Sequence, residues 1–221
     1  GTGNISTACT AEALQQGIEV FHLNRGNKPE RQLPGVRTLK ADIRNSDAVR
    51  RVLGNLQFDA VIQFLAFRPE HIEADMEVFK DKTKQYIFIS TCSAYKKPSL
   101  TPWITEDTPL ENPFWEYSRL KADCEKVLRE KAAAVGLGYT IIRPSHTYDN
   151  GWIPGCFGSA GYGLAWRMLR GKEIVVPGDG QSLWTLTHAS DFAVGLVGLL
   201  GKEEALGEAF MGIMHPDPEE H

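Results

Sequence analysis

Tyr117 and Lys121 close the run Tyr117-Ser118-Arg119-Leu120-Lys121. At i and i+4 their side chains share one face of a helix. An ammonium beside a phenol stabilises the phenolate, lowers its pKa and makes it an acid or base near neutral pH. Solvated Tyr–Lys pairs are common, so the context decides. Here it is Ser90-Thr91-Cys92-Ser93, which follows the apolar run Tyr86-Ile87-Phe88-Ile89. A hydroxyl at the C-terminal end of a buried parallel strand lies on the edge where such sheets bind ligands. It can hold a substrate oxygen beside the phenol.

A second group could hold phosphate. Gly1-Thr2-Gly3, with Asn4 and Ile5 next in line, reads as a glycine turn opening a helix at about residue 3 that Gly17 closes. Glycines let a diphosphate approach the backbone, and a helix N-terminus offers unpaired N–H groups and positive potential. Ser6 stands where the dinucleotide fingerprint has its third glycine, and it is small enough to keep the packing close. The fingerprint's first glycine, and a strand feeding this turn, are expected ahead of Gly1. Asn24 and Arg25 follow the next apolar run. A carboxylate at that point would bond a ribose 2′-hydroxyl, whereas an Arg suits a 2′-phosphate. The expected cofactor is therefore NADP(H), with NAD the alternative.

These residues need a scaffold that brings distant segments to one edge. Short apolar runs alternate with helical patterns along the chain. Strands are expected at Ile18–Leu23, Val36–Lys40, Phe58–Leu65, Tyr86–Ser90 and Tyr139–Arg143. Helices are expected after Gly3, over Asp47–Leu53, Glu70–Asp81 and Tyr117–Val135, the last closed by Gly136 and Gly138. This alternation predicts an α/β fold, a doubly wound parallel sheet of Rossmann type. It would occupy residues 1–148. Residues 149–221 would form a small C-terminal substrate-binding lobe, some of it free to return to the sheet. That segment should hold a helix at Leu164–Leu169, a strand at Ile174–Val176, a turn at Pro177–Gly180, a helix over Ser190–Leu200 and a polar tail, His215–His221.

Taken in order, these pieces identify a resemblance. The glycine turn, Ala41-Asp42-Ile43, Leu65-Ala66-Phe67, Ser90 to Tyr95, Tyr117 to Lys121 and Ile142-Arg143-Pro144 resemble the extended or atypical short-chain dehydrogenase/reductases. More narrowly, they resemble the NAD(P)-dependent epimerase/dehydratase family. The resemblance implies that Tyr117 is the catalytic acid/base. Lys121 lowers its pKa and bonds the nicotinamide ribose. Thr91 orients the substrate oxygen, with Ser93 its substitute. Asp42 and Ile43 belong to the adenine pocket, Leu65 and Ala66 lie along the cofactor's middle, and Pro144 and Ser145 lie beside the nicotinamide. The implied activity moves a hydride to or from a sugar-type or other small hydroxyl or carbonyl substrate. A homodimer through the helices at Glu70–Asp81 and Tyr117–Val135 is implied as well.

The departures from the pattern are informative. Trp184 stands where relatives acting on nucleotide sugars carry an Arg, and Arg167 or Arg170 would have to supply that charge. The Asn-x-x-Gly-Thr of the family's fourth helix is replaced by Asp75-Met76-Glu77-Val78-Phe79. Cys92-Ser93 replaces the Asp-Glu pair of the dehydratases, which argues against carboxylate-assisted elimination of water. His188 and Asp191 read as structural, a hydrogen-bonded imidazole and a helix-start anchor. Trp152, Phe157, Tyr162 and Trp166 could line a substrate pocket or form the second lobe's core.

Composition sets the outer bounds. The 221 residues are 42% hydrophobic and 24% charged, with a net charge of −4. That excludes a disordered chain and gives no bulk attraction to nucleic acid. No apolar run reaches the ~20 residues that span a bilayer. The four cysteines, Cys9, Cys92, Cys124 and Cys156, are too scattered for a metal site and suit a reduced cytoplasmic protein. The competing expectation is a non-catalytic NADP-binding regulator or RNA-associated protein on the same fold.

Overall fold

A computed structural model describes residues 1–151, 162–176, 178–181 and 183–212. The sequence readings at Trp152, Cys156, Phe157, Pro177 and the tail 215–221 fall outside them.

The elements follow from local sequence. Helix α1 (Asn4–Gln15) opens behind the glycine turn. Strand β1 (Phe21–Asn24) starts later than the apolar run suggests. Gly17 takes φ 77° and the Ile18 N–H turns back to the Ala13 carbonyl at 2.9 Å, so Ile18 closes the helix instead of opening the strand. Strand β2 (Arg37–Lys40) and helix α2 (Ser46–Leu53) come next, the helix capped by Asn45 through the Ala48 N–H. Strand β3 (Phe58–Gln63) leads to helix α3 (Pro69–Phe79), which opens on a proline, and then to strand β4 (Thr83–Ile89). Helix α4 (Glu116–Val135) ends at Gly136, whose φ of 67° is the left-handed cap glycine allows. The remainder is β5 (Gly138–Pro144), β6 (His146–Tyr148), α5 (Gly163–Met168), β7 (Leu186–His188), α6 (Ala189–Gly198) and β8 (Ala209–Gly212).

One parallel sheet runs β3-β4-β5-β8, a second pairs β1 with β2, and a third pairs β6 with β7. Strand β4 shows why the main sheet is covered twice. Tyr86 and Phe88 point into a cluster with Val49, Ile72, Met76 and Leu128, the side of α2, α3 and α4. Ile87 and Ile89 point into a cluster with Cys9, Ala13, Phe192 and Leu196, the side of α1 and α6. A strand buried on both faces has no polar alternation, as the sequence shows. The chain is thus a Rossmann-like α/β fold, and α6 and β8 return to its body.

Ile174–Val176, expected as a strand, is irregular. Val175 and Val176 stand 62% and 51% exposed, and β-branched composition without a sheet face to pack on does not make a ladder. Among the described residues no helix is long and apolar enough to cross a membrane.

Candidate active site

Parallel strands end on one edge, and that edge gathers the candidate residues. Asn24 ends β1 and Arg25 follows it, Asp42 and Ile43 follow β2, Leu65 and Ala66 follow β3, Thr91 follows β4, and Pro144 and Ser145 lie at the end of β5. Helix α4 delivers Tyr117 and Lys121 to the same edge. Its buried stripe is Ser118, Lys121, Cys124, Glu125, Leu128 and Ala132. A Lys and a Glu in a core-facing stripe are rare unless they are paired or functional.

Lys121 is 1% exposed. Its ammonium donates to the carbonyls of Ala66 at 2.8 Å and Ile89 at 2.6 Å, which joins the ends of β3 and β4. It also lies over the rings of Phe88 (4.6 Å), Phe67 (5.0 Å) and Tyr117 (5.9 Å). Burial lowers its pKa to about 8. Tyr117 departs from the sequence expectation. Burial raises its phenol pKa, and hydrogen bonding from the Thr91 side chain offsets part of that rise. The ammonium here is engaged by two carbonyls and sits over the ring, so desolvation dominates. Thr91 also accepts the Ser93 N–H at 3.1 Å, while the Ser93 carbonyl accepts from Asn112 at 2.7 Å. The Thr91 side chain therefore meets the phenol.

The loop after β3 is held by side chains at each step. The Leu65 N–H donates to Gln63 Oε1 at 2.7 Å, and its carbonyl accepts from the Arg44 guanidinium. The Ala66 carbonyl takes the Lys121 ammonium, and the Phe67 N–H donates to His71 Nδ1 at 3.1 Å. Accepting that bond requires a neutral imidazole. Burial, with Arg44 next, lowers the His71 pKa accordingly. Beneath the loop, Asp75 Oδ2 accepts from Gln63 at 2.5 Å and from the Tyr86 hydroxyl at 2.6 Å. On the same face of α4, one turn beyond Lys121, Glu125 binds the Arg143 guanidinium and takes a 2.6 Å hydrogen bond from Ser90.

The glycine turn suits a diphosphate. A Cβ on Gly1 would stand 2.4 Å from Ser6 Oγ, so Ser6 fills the close-packed position. Ser6 Oγ accepts the Gly3 N–H at 3.0 Å, while the first-turn N–H groups of α1 have no intrahelical partner and no acidic neighbour. Arg31 reaches the Thr2 carbonyl at 3.3 Å and adds positive charge there. Asn24 Oδ1 is used by the Gly26 N–H at 2.7 Å, whereas Arg25 is exposed and extends into solvent. Asp42 Oδ1 takes the Arg44 N–H at 3.0 Å, a local turn. These residues fit a dinucleotide laid along the sheet edge.

The remaining candidates lie at the end of β5 or beyond it and are engaged there. Ser145 Oγ meets Thr187 Oγ1 at 2.6 Å and ties β5 to β7. Trp184 stacks edge-on against His146 with centroids 5.1 Å apart. Arg167 Nε donates to the Glu173 carbonyl at 2.7 Å, and Arg170 lies 4.4 Å over Trp166. His188 Nδ1 bonds Ser190 Oγ at 2.7 Å and caps α6. Among the described residues no three His, Cys, Asp or Glu side chains converge as a metal site.

Sequence reasoning missed Trp115 and Phe67, whose rings flank Tyr117 at 4.8 and 6.3 Å. It also missed the Glu125–Arg143 pair. The available signal was charge in apolar context: Arg143 inside Ile141-Ile142-Arg143, and Glu125 one turn beyond Lys121.

A Rossmann-like sheet with a Tyr–Lys helix at its ligand edge defines the class, and comparison with known proteins supplies the family. The chain matches the NAD dependent epimerase/dehydratase family across residues 1–210 and belongs to it. It is 28% identical over 223 residues to the chloroplast stem-loop binding protein of 41 kDa b of Arabidopsis thaliana, covering 95% of this chain and 56% of that protein. It is 27% identical over 162 residues to a UDP-glucose 4-epimerase of Lactobacillus helveticus, covering 65% and 48%. The chain thus spans about half the length of these two relatives. In fold it is similar to the UDP-glucose 4-epimerase of Thermotoga maritima solved with UDP-glucose. That match has a TM-score of 0.78 and 22% identity, and covers 96% of this chain and 74% of the other.

Proposed function

We propose that the chain carries the cofactor-binding and catalytic centre of an NAD(P)-dependent, sugar-modifying oxidoreductase of epimerase or reductase type. The observation that carries this reading is the convergence of Tyr117, Thr91 and Lys121 where the strands of the sheet end. When bound, the nicotinamide takes up or returns a hydride at a substrate carbon.

The chain's own residues would do the rest. Tyr117 takes the proton from the substrate hydroxyl, or returns it, at its phenolic oxygen. Thr91 donates to the same oxygen and orients the substrate beside it. Lys121 would bond the nicotinamide ribose, and its charge beside the phenol opposes the burial-driven rise in the phenol's pKa. Gly1, Thr2, Gly3, Asn4 and Ile5 hold the diphosphate, Asp42 and Ile43 the adenine, Leu65 and Ala66 the middle of the cofactor, and Pro144 and Ser145 the nicotinamide side. Arg25 selects NADP(H) through the 2′-phosphate. Ser93, Trp184 and Arg167 remain candidates for the substrate side. A homodimer through α3 and α4 belongs to the same reading.

The test is a titration of NADPH and NADH into the protein, followed by nicotinamide fluorescence. Binding of either supports the reading, and failure of both removes it. A second reading has one observation in its favour, the name of the Arabidopsis relative, a stem-loop binding protein. On that reading the chain binds RNA. Affinity for an RNA hairpin that falls steeply between about 50 and 200 mM salt would support it, and no binding at the lower salt would remove it.

A further inference from the structure

Trp115 breaks two local rules. It is the N-cap of α4, with φ −131° and ψ 117°, and its side chain makes no capping bond. Ser, Asn or Asp at that position would stabilise the helix by about 0.5–2 kcal/mol more than an apolar residue. Nor does the indole repay this by burial, since Trp115 is 53% exposed. A large aromatic that neither caps nor packs inward needs another reason, and such conflicts concentrate at functional sites.

The indole ring stands 4.8 Å from the Tyr117 ring, tilted by 42°. The segment bearing it is fixed. Asn112 donates to the Ser93 carbonyl at 2.7 Å and accepts the Phe114 N–H at 3.0 Å. Arg119 reaches back from α4 to the Pro113 carbonyl at 2.5 Å. The result is a pre-positioned apolar face against the Tyr117 ring, whose hydroxyl the Thr91 side chain meets.

A pyranose matches that arrangement. One of its faces is a patch of weakly positive C–H groups, which suits the negative face of an indole, and its rim carries hydroxyls. We propose that Trp115 is the platform on which a pyranose ring of the substrate lies while one of its hydroxyls meets Tyr117 and Thr91. This rests on the reading of Tyr117 as acid/base given above.

Trp115→Asn separates this role from a structural one, because it installs a good N-cap while it removes the indole. The probes are UDP-glucose and methyl α-D-glucopyranoside, each with NADP⁺ present, read by saturation-transfer NMR at the sugar ring protons. The wild-type protein should transfer saturation to those protons. Trp115→Asn should weaken the transfer about tenfold, and Trp115→Phe should keep most of it. NADPH affinity and melting temperature of Trp115→Asn should not fall. Undiminished transfer in Trp115→Asn overturns the platform. So does transfer confined to the uracil protons of UDP-glucose, or a wild-type protein that binds NADPH but neither sugar; the oxidoreductase reading survives all three. A protein that binds neither NADPH nor NADH overturns both.

Discussion

Glu125 grips Arg143 through two hydrogen bonds, 3.0 Å to Nε and 2.7 Å to an Nη, with side chains only 2% and 5% exposed. The same guanidinium reaches the Tyr95 hydroxyl at 2.9 Å. The pair ties α4 to β5 one turn beyond Lys121, and so fixes the rotation that aims Tyr117 and Lys121 at the sheet edge. Both charges have left water, so removing one strands the other. Glu125→Leu should destabilise the fold by about 3–5 kcal/mol, while Glu125→Leu with Arg143→Met should recover most of that loss. Urea unfolding of the two variants checks this, and equal losses in both would contradict the buried-pair account.

Asp75 predicts a pH dependence of stability. Burial raises its pKa from 3.8 to about 6, against the opposing hydrogen bonds of Tyr86 and Gln63 and the charge of Arg44. The folded state therefore holds the proton more tightly than the unfolded state. This group's contribution is greatest below pH 3.8, declines as pH rises toward about 6 and is level above that. Asn keeps an acceptor for both donors and cannot ionise. Asp75→Asn should be more stable than the parent at pH 8 by on the order of 3 kcal/mol, with the gap closing near pH 4. A gap that does not change between those pH values would refute the assignment.

The fold was legible because β4 is apolar on both faces and the long helix α4 is closed by the glycine at 136. The candidate edge was legible for the same reason, since strand ends in a parallel sheet share one side. Less legible were contacts made by residue types that usually face water. Glu125 and Asp75 look like surface charges until their partners, Arg143 and Ser90 for one and Gln63 and Tyr86 for the other, are in place. Trp115 was hidden by its position at a helix start, where spacing has no face to report. The expected fall in the Tyr117 pKa failed because sequence gives the spacing of Tyr and Lys but not which carbonyls hold the ammonium.

Thr91 should therefore set the Tyr117 phenol more directly than Lys121 does in this state. Thr91→Val removes a donor to the phenolate and should raise the phenol's pKa further. Ultraviolet difference titration, with Tyr117→Phe subtracted to isolate the one phenol, measures the shift. An unmoved or lowered titration would show that Thr91 does not donate to this oxygen.

Tyr117→Phe and Arg25→Ala divide chemistry from cofactor choice. Tyr117→Phe keeps the ring between Phe67 and Trp115 but loses the proton-carrying oxygen, so turnover should vanish while NADPH affinity stays within about twofold. Arg25 should act on one cofactor only. Its side chain is exposed at the end of β1, and Asn24 is already committed to the turn at Gly26. A charge-assisted contact to a 2′-phosphate is worth about 1.5–3 kcal/mol, so Arg25→Ala should weaken NADPH by roughly tenfold to a hundredfold. NADH has no 2′-phosphate and should bind as before. Fluorescence titrations with both nucleotides read the difference directly. Equal weakening of the two would make Arg25 a general electrostatic contributor, and no weakening of either would move the 2′-phosphate contact elsewhere on the edge.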